Sequence, residues 1–209
     1  MIRNSCGLRF KRVESRSRAL IATLCDRKKD KNLYVCSVHL DADKSTDPKK
    51  REHHQKQRQS QLKSLLKRIN YACKLENEII REAPILVAGD FNMLRDNPLH
   101  ESLAVGSLTT SPSAHVLLHD AYMEAERHGR CSIPVYHCEL SPNENKTNFY
   151  LEKTYKGGVI LDYIWTSENL KVLDTLLYHP RSSTIGKEKW PCDNYPSDHL
   201  PIGIDLDWN

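Results

Sequence analysis

Four places in the chain gather side chains suited to acid–base or oxyanion chemistry. They are His39, the run Gly89-Asp90-Phe91-Asn92, Asp162 between Ile160 and Ile164, and the run Ser197-Asp198-His199. A carboxylate can take up a proton and offers oxygen to a hard cation. An imidazolium or a carboxamide N–H can stabilise negative charge that builds on oxygen. Each feature is weak by itself, since a lone His after a strand is usually a hydrogen-bonded structural group. Their shared position is more informative: all lie on or just after apolar, strand-like segments, where rigid elements hand over to loops. Asp162 needs a partner there, because a carboxylate amid apolar strand residues is costly to bury alone.

The elements that must position these groups are readable from pattern. Leu33 to Val38 is rich in β-branched and aromatic residues and predicts a strand ending at His39-Leu40. Ile85 to Ala88, after Pro84, predicts a fully buried strand that delivers Asp90. Val159 to Trp165 predicts the strand of Asp162, and Pro201 to Leu206 one that follows His199. Further strands are predicted at Leu8 to Val13, Ala19 to Leu24 and Leu170 to Tyr178. A long helix runs from about Lys49 into the seventies, with Leu62, Leu65, Leu66, Ile69 and Cys73 on one stripe. Its polar face carries Lys56, Arg58, Lys63, Lys67 and Arg68. A second helical stretch reaches Ile79-Ile80, a short helix follows Asn97-Pro98 through Leu103, and Val116 to Arg127 reads as helix. Cys131 to Tyr155 and Ser182 to Pro196 are polar loops. Strands interleaved with helices predict one mixed α/β domain with stacked sheets, residues 1–209.

Composition limits the partners. Hydrophobic residues make up 39% and charged residues 28%, which excludes global disorder. No window is apolar for long enough to span a bilayer, and the N-terminus lacks the apolar core of a signal peptide. The seven cysteines are odd in number and form no C-x-x-C pair, so reduced thiols in the cytoplasm or nucleus fit better than a disulfide frame or zinc knuckle. Charge is uneven. Residues 1–68 hold 19 Lys/Arg against 7 Asp/Glu, a net +12, while residues 69–209 carry net −8. A basic part beside an acidic part suits an enzyme that holds a polyanion and collects carboxylates around a metal; solvated helix and loop faces are the plainer reading.

Taken in order, Val38-His39-Leu40, Gly89-Asp90-Phe91-Asn92, Leu161-Asp162-Tyr163-Ile164 and Tyr195-Pro196-Ser197-Asp198-His199-Leu200-Pro201 resemble the endonuclease/exonuclease/phosphatase superfamily. With Arg58 and Gln61 on the long helix, the wording is most similar to its deadenylase branch, from about Cys6 to the C-terminus. The resemblance implies a four-layer α/β sandwich of the DNase-like type and a Mg²⁺- or Mn²⁺-dependent attack of water on phosphorus. It implies that Asp90 orients or deprotonates the water, Asn92 donates to a phosphate oxygen, and Asp162 holds the ring of His199. His199 and His39 would meet the phosphate or leaving group, and Asp198 would help bind metal. Arg58 and Tyr155 are candidate substrate contacts, and Tyr150 and Tyr155, in the loop before Asp162, are candidates for stacking on bases. The implied activity is a 3′-exoribonuclease of deadenylase type, with RNA or another phosphodiester as substrate.

The family pattern also has an early half, with an Asn after its first strand and a metal-binding Glu usually preceded by Gln. Neither Asn4 nor Glu14 stands in that context. The expectation is therefore an N-terminally truncated domain, a fragment or an incomplete gene model, lacking its principal metal ligand. Two other readings stay open: a catalytically impaired fragment acting as a nucleic-acid-binding or interaction module, and a phosphodiesterase or phosphatase on a small phosphorylated substrate.

Overall fold

The structure is a computed structural model that describes residues 8–16, 18–43, 45–109, 115–127, 154–155, 159–176 and 197–209. The polar loops predicted at Cys131 to Tyr155 and Ser182 to Pro196 lie almost wholly outside these residues.

Strands β1 (Leu8–Arg16), β2 (Ala19–Asp26) and β3 (Lys31–His39) form an antiparallel meander. The Asp26 carboxylate accepts from the amides of Lys28 (2.8 Å) and Lys29 (3.3 Å), which folds the β2–β3 turn locally. Helix α1 (Pro48–Leu75) then begins on a built-in start signal. Asp47 caps it by accepting from the Lys49 amide at 2.9 Å, and Pro48 fills the first turn. The stripe Leu62, Leu65, Leu66, Ile69, Ala72 and Cys73 is buried in one cluster with Tyr34, Cys36 and Val38 of β3. At roughly 2 kcal/mol per large apolar side chain, that stripe docks the helix far more firmly than its propensity would. The helix stops at Leu75, and Asn77 takes a left-handed φ of 58°. The predicted continuation to Ile79-Ile80 is consequently only a 3₁₀ turn, Ile80–Glu82.

The crossover through α1 returns the chain as β4 (Ile85–Asp90), parallel to β3. Helix α2 (Pro98–Ala104) is capped by Asn97. The predicted helix from Val116 instead starts as strand: Leu118–Asp120 is β5, paired with β6 (Asp162–Ser167). Helix α3 (Ala121–Arg127) begins only after Asp120, whose carboxylate accepts from the amides of Tyr122 (2.9 Å) and Met123 (3.3 Å). The last strands, β7 (Leu170–Thr175) and β8 (Ile204–Trp208), form a two-stranded sheet among the described residues.

The main sheet runs β1-β2-β3-β4-β6-β5. One face, with Tyr34, Cys36, Val38, Ile85, Val87, Tyr163 and Trp165, packs on α1 and α2. The other face, with Leu86, Ala88 and Ile164, packs on Val172, Ile204 and Leu206 of the small sheet and on α3. The outer face of the small sheet, Lys171, Leu173, Asp205 and Asp207, is exposed. Among the described residues, then, three layers of a sandwich are built: helix, six-stranded sheet and two-stranded sheet.

Candidate active site at one end of the main sheet

Strand register brings the candidate residues together. His39 is the partner of Asp90 across β3 and β4, and Asp90 is the partner of Asp162 across β4 and β6. Alternation along each strand puts all three on the face away from α1, in one row with neighbouring strands roughly 4.8 Å apart. The parallel pair β3–β4 ends here, while β6, antiparallel to β4, begins here.

His199 completes the row from another segment. Its Nδ1–H donates to Asp162 Oδ2 at 2.8 Å, which fixes the ring and leaves Nε2 facing Asp90 Oδ2 at 3.9 Å. His39 Nε2 lies 3.7 Å from the same Asp90 oxygen, on the exposed side. Asp90 Oδ2 thus sits between two imidazoles. Burial raises the Asp90 pKa above the ordinary carboxylate value; the Asn92 amide opposes that rise, and the neighbouring Asp162 adds to it. Burial tends to lower the His199 pKa, but the hydrogen bond and charge of Asp162, with the charges of Asp90 and Asp198, outweigh it and raise the net value. Asp198 is half-buried, and its charge acts on His199.

The backbone around Asp90 is special. Gly89 has φ +139°, and a Cβ there would stand 2.0 Å from the Val38 carbonyl oxygen, so only glycine permits this approach of β4 to β3. Asn92, at φ 49°, donates its backbone N–H to Asp90 Oδ1 at 2.8 Å. Its side-chain amide donates to the Leu40 carbonyl (3.0 Å) and to Asp90 Oδ2 (3.1 Å). Both carboxamide hydrogens are therefore engaged in tying the loops after β3 and β4 together.

The two candidate substrate contacts differ in setting. Tyr155 pairs with His199 through an isolated β-bridge, with ring centroids 5.0 Å apart. Arg58 is buried, with 5% of its surface exposed. Its guanidinium donates to the Asp41 carbonyl (3.0 Å) and to Gln55 Oε1 (3.1 Å). Tyr150, also a candidate stacking residue, lies outside the described residues.

One contributor carries no sequence signal. Thr154 is fully buried, and its Oγ1 accepts from the amides of Leu161 (2.9 Å) and Asp162 (3.1 Å). Its carbonyl accepts from Leu200 N at 2.8 Å, so it joins the start of β6 to the His199 segment. A lone Thr in a polar loop gives no hint of this.

The carboxylate and carboxamide oxygens here suit a hard cation rather than a soft one. Among the described residues, however, no group of three or more His, Cys, Asp or Glu side chains is arranged to hold a metal ion. No helix among them is long and apolar enough to cross a membrane.

No family model matches the chain. Nocturnin of Xenopus laevis is 28% identical over 126 residues, covering 60% of this chain and 28% of that protein. Human nocturnin is 27% identical over 123 residues, covering 59% and 24%. The chain thus spans about a quarter of the length of these curated relatives. Among solved structures, the human nocturnin catalytic domain with bound sulfate superposes with a TM-score of 0.61 at 20% identity, covering 97% of this chain and 61% of that one. ANGEL2, a 2′,3′-cyclic phosphatase in complex with adenosine-2′,3′-vanadate, gives 0.59 at 17%, covering 96% and 67%. An endonuclease/exonuclease/phosphatase from Bacteroides vulgatus gives 0.54 at 16%, covering 91% and 55%. These structures share the DNase-like α/β fold with the chain. The chain is thus similar in sequence to the nocturnins, and similar in fold to nocturnin, to ANGEL2 and to the endonuclease/exonuclease/phosphatase from Bacteroides vulgatus.

Proposed function

We propose that the chain is a phosphodiester hydrolase of the superfamily's deadenylase type, acting on RNA from its 3′ end with Mg²⁺ or Mn²⁺. The observation that carries this reading is the row His39–Asp90–Asp162 with His199 seated over it. A water held at Asp90 Oδ2 meets a carboxylate whose proton affinity burial has raised, which favours its action as a base. The Asp162 carboxylate favours the charged form of His199 and orients it, so that Nε2–H can donate to an oxyanion as charge builds in the transition state. His39, exposed on the other side of Asp90, is placed to donate to a phosphoryl oxygen or the departing oxygen. Asn92 acts through Asp90 in this arrangement, by fixing both carboxylate oxygens. A hard divalent cation would draw on oxygen ligands, Asp198 among them, and supply Lewis-acid stabilisation of the phosphoryl oxygens.

Two further features favour a polymeric phosphodiester. The exposed first turns of α1 carry Lys49, Lys50, Arg51 and Lys56 at the same end of the sheet as His39. Tyr155 stands beside His199, where a base can stack. The neighbours were solved with sulfate and with adenosine-2′,3′-vanadate, both oxyanionic ligands. The free thiols Cys25, Cys36 and Cys73 fit an intracellular setting, cytoplasmic or nuclear. The test is a panel of 5′-labelled poly(A), mixed-sequence RNA, DNA, a dinucleotide and inositol phosphates, each incubated with the chain and Mg²⁺. Stepwise shortening of poly(A) from its 3′ end is the expected result. Hydrolysis confined to the small phosphates would select the small-substrate reading, and salt-sensitive binding without cleavage would select the binding module.

A further inference from the structure

The loop that leaves β3 at His39 is held at a series of backbone groups from His39 to Asp41. His39 N donates to the Arg18 carbonyl at 3.1 Å. Leu40 N donates to the Asp90 carbonyl at 2.8 Å, and the Leu40 carbonyl accepts from Asn92. Asp41 is gripped differently, from α1. Its N–H donates to Gln61 Oε1 at 3.0 Å, and its carbonyl accepts from Arg58 at 3.0 Å. Residues three apart share one helix face, so Arg58 and Gln61 reach the two peptide groups that flank the Asp41 Cα. The Asp41 carboxylate meets His54 Nδ1 and, at 3.5 Å, Arg18.

The grip extends to the second catalytic loop. Arg58 also donates to Gln55 Oε1 at 3.1 Å, and Gln55 exchanges two 2.9 Å hydrogen bonds with the Asn97 side chain. Asn97 caps α2 at the end of the segment that begins with Asp90 and Asn92. A continuous chain of hydrogen bonds therefore runs from Asp41 through Arg58, Gln55 and Asn97. It braces the loop after β3 against the loop after β4, beneath the point where His39 approaches Asp90.

We propose that Arg58 and Gln61 are positioning residues, which hold the Asp41 backbone so that His39 stays within reach of Asp90. The proposal rests on the hydrolase reading for its kinetic consequence and on geometry alone for its structural one. Burial and the two engaged partners set Arg58 apart from a phosphate-binding arginine, which presents its fork to solvent. Any side-chain oxygen acceptor at 61 can serve the Asp41 amide, so Gln61→Glu keeps the bond and Gln61→Leu abolishes it.

The experiment compares wild type, Arg58→Ala, Arg58→Lys, Gln61→Leu and Gln61→Glu, all confirmed folded by circular dichroism, in two arms. In the first, histidine-labelled protein is examined by NMR. The His39 imidazole resonances are expected to shift and broaden in Arg58→Ala and Gln61→Leu and to return in Gln61→Glu, while those of His119 on β5 stay in place. In the second, Mg²⁺-dependent cleavage of poly(A) is measured at varied substrate. A fall in kcat of about tenfold to a hundredfold with KM within about twofold is expected for the same two variants. His39 resonances identical to wild type in both Gln61→Leu and Arg58→Ala overturn the proposal, and so does a rise in KM alone, which marks Arg58 as a substrate contact. Wild-type protein inert toward the whole substrate panel contradicts the hydrolase reading, and the NMR arm still decides the positioning role.

Discussion

Asp90 and Asp162 are direct register partners across β4 and β6, two carboxylates set side by side on one face of a sheet. Like charges at this spacing repel, and the neighbouring Asp162 contributes to the raised pKa of Asp90. What makes the pair tolerable is His199, which bonds Asp162 at 2.8 Å and turns its other nitrogen to Asp90. The imidazole offsets part of the pair's charge when protonated and is oriented by it.

Replacing Asp162 with Asn removes a charge that favours protonated His199 and lets the ring choose the other tautomer. Turnover of poly(A) should fall by about a hundredfold or more, with KM little changed. An Asp162→Asn enzyme within about threefold of wild type would show that His199 needs no such partner.

Gly89→Ala tests the close approach of β4 to β3. With a Cβ 2.0 Å from the Val38 carbonyl oxygen and φ at +139°, the strand must move. A loss of more than about 2 kcal/mol in urea unfolding is expected. The same stability as wild type would mean that β4 can shift without cost.

Thr154 gives a cleaner contrast. Thr154→Val is nearly isosteric but leaves the buried amides of Leu161 and Asp162 without an acceptor, at a cost of about 2 kcal/mol. Thr154→Ser keeps the oxygen and should recover most of that loss. Equal stability of the two variants would contradict the assignment.

His100 sets an acid limit on stability. Burial pushes its pKa down to about 4, and its ring stacks on Trp165 with an interplanar angle of 12°. The folded pKa lies below the ordinary value of 6.5, so the unfolded state binds the proton first as pH falls. This contribution is fully present above about pH 6.5 and is lost progressively down to about pH 4, below which it changes no further. Between pH 7 and 4.5 the wild type should lose roughly 2 kcal/mol more than His100→Phe, measured by urea unfolding at the two pH values. Parallel losses in the two proteins would place the titration elsewhere.

Much of this was legible in the sequence, because the strands that carry the site are apolar runs bounded by breakers. Leu33 to Val38 and Ile85 to Ala88 delivered His39 and Asp90 where the pattern put them. Long-range pairing was not legible. Nothing local says that Asp162 faces Asp90 in register, and periodicity does not reveal that β5 is a strand of three residues made by pairing with β6. The helix signal at Val116 to Arg127 was real but began at Asp120, an N-cap residue that marks the true start of α3. Arg58 shows the opposite limit. A cation on a basic helix reads as solvent-facing, and only the packed structure reveals that it is buried on the Asp41 carbonyl.

The most direct test of the central claim is Mg²⁺-dependent release of AMP from 5′-labelled poly(A) by the wild-type chain and by Asp90→Asn and His199→Ala. The account predicts 3′-to-5′ shortening by wild type and a loss of at least about a hundredfold in each variant. Unchanged shortening in both variants would contradict it.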